Sequence, residues 1–160
     1  MALAIRSASA ADIQAMSQLL AVKRVQLEMF EPVMWRPSEA AAKLTPAFFT
    51  HQLGQPNVIA RVAEDGGRMP GFIIGVLQDA PPVFSPGGQS VLIDDFAVSE
   101  GPQADAVASG LLDAVINEAR ARGAIQIIAI AAARDERAVK WLEAKKLHVA
   151  SQWWTRTLTH

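Results

Sequence analysis

The chain has 160 residues, 51% of them apolar, a formal net charge of −1 and no cysteine. That length suits one domain, residues 1–160, with an ordinary core, and the missing cysteine excludes disulfides and thiolate catalysis. The basic residues are scattered, which argues against a nucleic-acid surface, and His51, His148 and His160 form no ligand pair, so no metal is expected.

In chain order, Met1-Ala-Leu-Ala-Ile-Arg6 lacks a charged segment followed by an apolar one, so no signal peptide is read and a cytoplasmic protein is expected. Leu3 to Ser7 predicts a short strand. Ala10 to Phe30 places Ile13, Met16 and Leu20 on one helical face, with Asp12 in the first turn. Pro32 and Pro37 bracket an apolar loop that contains Trp35. Thr45 as N-cap, Pro46 at the first helical position and Gly54 after the end predict a second helix. Asn57 to Ala63 and Gly71 to Gln78 predict strands joined by Glu64-Asp-Gly-Gly-Arg68, a strong hairpin signal.

After the Pro/Gly-rich Ala80 to Gly88, Ser90 to Val98 predicts another strand, which Asp94 and Asp95 interrupt; alternation sends those two to opposite faces. If helices cover both faces, at least one carboxylate is buried, which is costly unless it is paired or functional. A hydrogen bond to backbone near a bulge, or a salt bridge to an arginine such as Arg36, would satisfy it without function. The helix Ala104 to Arg122 carries Val107, Leu111, Leu112, Val115, Ile116 and Ala119 on its apolar side and stops at Gly123. Ile125 to Ile130 is apolar enough for a central strand, and it lies in the longest nearly apolar run, far too short to span a bilayer. Asp135 caps a helix to about Lys146, and Leu147 to Leu158 predicts a last extended stretch. There Trp153 and Trp154 point to opposite faces, one inward and one toward a homodimer contact or the acceptor pocket. The order βααβββαβαβ predicts an α/β fold, a mixed sheet with helices on both faces.

That order, and the residues from Gly71 to Leu158, resemble the GNAT superfamily of acyl-CoA-dependent N-acetyltransferases. Val91-Leu-Ile-Asp-Asp-Phe-Ala-Val98 is similar to the strand that pairs with the pantetheine arm of acetyl-CoA, which implies contacts from Phe96, Ala97 and Val98. Gln103-Ala104-Asp105-Ala106-Val107-Ala108, followed by Ser109, stands where the family's pyrophosphate loop stands. Asp135, Ala138 and Leu142 occupy the places of the family's Asn, Ala and Tyr. The loop works because a helix N-terminus exposes main-chain N–H groups and favours anions. Here Ala106 replaces a glycine, Asp105 adds a carboxylate, and Leu142 replaces the tyrosine that protonates the departing thiolate.

The resemblance implies acetyl transfer from acetyl-CoA to a small amine in a ternary complex, with Asp94 or Asp95 as base. It implies Phe30, Trp35 and His51 near the acceptor, although aromatics at helical spacing are commonly plain core. It also implies that the strands Ser90–Val98 and Ile125–Ile130 run parallel and splay at their C-terminal ends. The second expectation is a catalytically silent domain of the same fold that binds a ligand or partner, toward which Asp105, Ala106 and Leu142 push. A doubly wound nucleotide-binding domain fits less well, because three strands precede the first crossover and no Gly-x-Gly-x-x-Gly or Walker loop is present.

Overall fold

A computed structural model describes residues 3–158. In chain order they form β1 (Ala4–Ser7), a 3-10 turn (Ala10–Asp12), α1 (Ile13–Phe30), α2 (Ala41–Leu53), β2 (Val58–Asp65), β3 (Arg68–Gln78), β4 (Gln89–Val98), α3 (Ala104–Ala121), β5 (Ala124–Ala129) and α4 (Glu136–Ala144). The chain divides into two compact units. One comprises the residues up to Lys23 with Glu39–Ile130; the other comprises Arg24–Ser38 with the residues from Ala131 onward. Among the described residues, no helix is long and apolar enough to cross a membrane.

The first unit is a five-stranded mixed sheet in the order β1-β2-β3-β4-β5, with β1 to β4 antiparallel and β5 parallel to β4. The β2–β3 turn is Gly66-Gly67, with φ of 58° and 79°, flanked by the pair Asp65 and Arg68. Positive φ at both central residues is what a type I′ hairpin turn requires, and glycine reaches it without strain.

Alternation along β3 divides the core. Phe72 and Ile74 join Val62 and Ala97 beneath Met16 and Leu20 of α1 and Phe49 of α2. On the other face, a Cβ on Gly75 would lie 2.8 Å from Val115 Cγ1, and one on Gly71 would lie 3.0 Å from Val107 Cγ1. Gly71 and Gly75 therefore let α3 settle directly on the sheet. Arg61 of β2 pairs with Glu118 of α3 on that same face.

Three expectations are corrected. α2 begins at Ala41, so Thr45 and Pro46 lie inside it; Thr45 is buried, and its Oγ1 donates to the Ala41 carbonyl at 2.7 Å. The burial of Thr45 and Phe49 on one face outweighs the local cap signal. β5 is an edge strand of the described sheet, because nothing among the described residues pairs on its far side. No strand forms over residues 147–158, where Trp153 and Trp154 are 82% and 90% exposed, so neither packs inward. A strand needs a neighbour to complete its ladder, and a β-forming composition does not supply one.

At the N-terminal edge, Arg6 grips Asp12 through two hydrogen bonds, of 2.9 and 2.8 Å, and reaches Glu64 at 2.7 Å. The Ser9 N–H and hydroxyl both donate to Asp12 Oδ2. The Arg6 fork, helped by Ser9 and opposed by burial, holds the Asp12 carboxyl at about 2, below its usual 3.8. A carboxyl depressed in the folded state adds stability above its unfolded value and loses it as pH falls through its folded value. About 2 kcal/mol should therefore be lost between pH 5 and pH 2. Urea unfolding of wild type and Asp12→Asn across that window checks this: the gap between the two proteins should close toward pH 2, and a gap independent of pH would refute the assignment.

Candidate active site

The site is built on an irregularity in β4. Gly75 of β3 pairs with Ile93 while Ile74 pairs with Asp95, so Asp94 is an extra residue, a β-bulge. Ile93 stays on the α3 face, where its Cδ1 would lie 3.8 Å from a Cβ on Gly75. Asp95 sits opposite Ile74, a member of the core under α1 and α2. Asp94 Oδ2 accepts a hydrogen bond of 2.7 Å from Gln52 Nε2 of α2. Both carboxylates thus belong to the α1–α2 face, which corrects the expectation that they oppose each other. One extra residue shifts the period-two alternation by a step. The expected burial is also corrected, since Asp94 is exposed and Asp95 half-buried. Arg36 pairs with Glu28 at 3.6 Å, while Asp94 takes Gln52 as its partner.

The bulge also marks where the β4–β5 pairing ends. The β4–β5 register runs from Gln89/Ala124 to Ile93/Ala129 and ends there, whereas β4 continues along β3 to the pair Val98/Gly71. The β4–β5 pairing therefore ends beside Asp94, where β5 itself ends. The side chain of Ala97 is packed in the α1–α2 core, its carbonyl lies on the Gly71 side, toward β3, and Phe96 is half-buried.

α3 brings its first turn beside the C-terminal end of β4. Val107 packs against Gly71, the partner of Val98 at the end of β4. The turn is set by Gly101, with φ of 152°, whose carbonyl accepts from Ala104 N at 3.1 Å; Gln103 O accepts from Val107 N at 2.9 Å. Gln103, Asp105 and Ala106 are exposed, Ala104, Ala108 and Ser109 half-buried, and Val107 buried. A helix N-terminus beside a strand end left unpaired on one side suits a long thioester arm that carries a pyrophosphate. Within that fit, the Asp105 carboxylate opposes an anion.

His51 lies in the last turn of α2 and is exposed, with its carbonyl engaged by Gly54 N and Gln55 Nε2. The residue that reaches β4 is its neighbour Gln52, which sequence reasoning missed. Its signal was position: Thr45, Phe49 and Gln52 share the buried face of α2, and a glutamine there needs a partner.

The remaining candidates belong to the second unit. Phe30 ends α1 half-buried, and its carbonyl accepts from Arg134 Nη1 at 3.3 Å. Trp35 is half-buried, and its main-chain N–H donates to Glu31 O. Asp135 caps α4 as expected, its Oδ1 accepting from Ala138 N at 3.0 Å. Lys146 has a φ of 68° where a glycine is customary. Lys146 N donates to Glu143 O and Leu147 N to Leu142 O, the hydrogen-bond pattern of a Schellman motif. Leu142 and Leu147 occupy the two positions that carry the apolar contact of such a motif, a structural use for Leu142 at the place of the family's tyrosine.

The description of the acetyltransferase (GNAT) family matches residues 22–147 of the chain. The protein belongs to the GNAT acetyltransferase family. No curated protein gives a significant match in sequence. Among solved structures, this GNAT acetyltransferase is similar to a mutant of the BH1408 protein from Bacillus halodurans, with 18% identity over 98% of this chain and 99% of that one and a TM-score of 0.85. It also resembles a predicted acetyltransferase from Clostridium acetobutylicum solved with acetyl-CoA, at 16% identity, 98% and 96% coverage and a TM-score of 0.77. A third is an aminoglycoside acetyltransferase from an uncultured soil sample in complex with sisomicin, at 17% identity, 99% and 96% coverage and a TM-score of 0.69.

Proposed function

We propose that this GNAT acetyltransferase acetylates a small cationic amine, with Asp94 as the base that frees the attacking nitrogen. The observation that carries this reading is the bulge, which sets Asp94 and Asp95 on one face at the point where the β4–β5 pairing ends. Acetyl-CoA supplies the acetyl group as a thioester. Asp94 removes a proton from the ammonium, which gives the nitrogen the lone pair it needs for attack. Asp95, one residue on, adds negative charge that favours a cationic acceptor. The main chain of Phe96 and Val98 orients the thioester arm, and the first turn of α3 receives the pyrophosphate. With Leu142 in the place of the family's tyrosine, the departing thiolate takes its proton from water.

Calorimetric titration with acetyl-CoA, followed by an assay of CoA release over a panel of amines, tests the reading. Diamines and amino sugars should react with higher kcat/KM than amines of equal length that carry a carboxylate. No CoA binding, or a preference for the carboxylated amines, would refute it.

Asp105 gives a second expected result. Its carboxylate lies in the first turn of α3 and is exposed, so water and salt weaken its field. Asp105→Asn should tighten CoA binding by about three- to tenfold at low ionic strength, with the gain shrinking in concentrated salt. An affinity that does not respond to this substitution would place the pyrophosphate elsewhere.

A further inference from the structure

The hydrogen bond from Gln52 to Asp94 joins two unlike environments. Gln52 is buried on the sheet-facing side of α2, three residues after Phe49, whose ring meets that of Phe72 edge-on at 5.5 Å. Asp94 is exposed and belongs to a bulge, where no cross-strand partner fixes its direction. A carboxylate in that position would turn between rotamers. The 2.7 Å bond to Oδ2 holds one of its oxygens, so Oδ1 is presented in a single direction.

We infer that Gln52 is the positioning residue for the base: from a buried seat on α2 it fixes Asp94 Oδ2 and aims Oδ1 at the acceptor nitrogen. The inference rests on the reading of Asp94 as the base. The residue type suits the task. A lysine or arginine here would neutralise the carboxylate, whereas a neutral amide fixes its direction and leaves its charge. Burial suits it too, because a donor locked by core packing holds its partner more closely than one on a mobile surface chain. α2 thereby couples the packing of the core to the geometry of proton transfer.

The test is a double-mutant cycle on the full chain. Gln52→Met keeps the length and loses the donor; it should lower kcat by about 10- to 100-fold, leave KM for the amine within about threefold, and leave CoA affinity unchanged. Gln52→Asn, which keeps the amide on a shorter stem, should fall between the two. In an Asp94→Asn background, Gln52→Met should cost nothing further, because the base is already gone. A readout independent of activity is the side-chain amide signal of Gln52 in a 1H–15N spectrum, which should move in Asp94→Asn. If Asp94→Asn is impaired while Gln52→Met is fully active, or if the two losses multiply, the positioning role is overturned and Asp94 stands. If Asp94→Asn is itself fully active, the reading of Asp94 as base falls first. A Gln52→Met protein that does not fold leaves Gln52→Asn and the amide signal to decide.

Discussion

Replacing Asp94 by asparagine should lower kcat by about a hundredfold to ten-thousandfold, with little change in KM for the amine. The size follows from the role, since a positioned base acts on the proton in the transition state and contributes little to ground-state binding. The substitution is clean. Asparagine matches aspartate in shape, its carbonyl oxygen can still accept from Gln52, and the bulge at Asp94 rests on the pairing of Ile74 with Asp95 and Gly75 with Ile93. What is lost is the capacity to take up a proton. Asp95→Asn should behave differently, because Asp95 is half-buried opposite Ile74 and its proposed part is to favour a cationic acceptor by charge. It should raise KM for the amine more than it lowers kcat. Steady-state kinetics of both variants decide the matter: full activity in Asp94→Asn removes it from the mechanism, and the reverse pattern exchanges the two roles.

Phe49→Ala should destabilise the protein by about 3–5 kcal/mol and lower Tm by about 10 °C. Phe49 is fully buried between α2 and the sheet, edge-on to Phe72, in the cluster that also holds Met16, Leu20, Val62 and Ile74. Truncation removes the transfer free energy of the ring and leaves a cavity whose walls come from three elements, so it cannot close by moving one of them. The same change loosens the seat of Gln52 one turn on, so kcat should fall even at temperatures where the protein stays folded. Chemical unfolding and thermal melts measure the first effect and steady-state rates the second. A loss below about 1 kcal/mol would show that α2 contributes little to the core. A stability loss with unchanged kcat would uncouple helix packing from the base.

Much of the fold could be read from the sequence because its determinants are local. Asp65-Gly66-Gly67-Arg68 specifies a tight hairpin through backbone conformations that two glycines adopt freely. The stripe Val107, Leu111, Leu112, Val115 and Ala119 specifies the buried face of α3, and Asp135 caps α4 with its own side chain. The element order implied the GNAT fold, and the place of Asp105 and Ala106 in the first turn of α3 followed from spacing alone. Tertiary structure decided the rest, because pairing and register belong to no single segment. Alternation places Asp94 and Asp95 on opposite faces, yet β3 sets two residues of β4 against one of its own and brings both to the α1–α2 face. The aliphatic run of β5 suits a sheet centre, yet its place was set by which strand paired with it. Thr45-Pro46 has the form of a helix start, yet the burial of Thr45 and Phe49 placed the start at Ala41. Gln52 carries no motif at all. Its partner lies 42 residues away, and only the packing of α2 on the sheet brings the amide to the carboxylate.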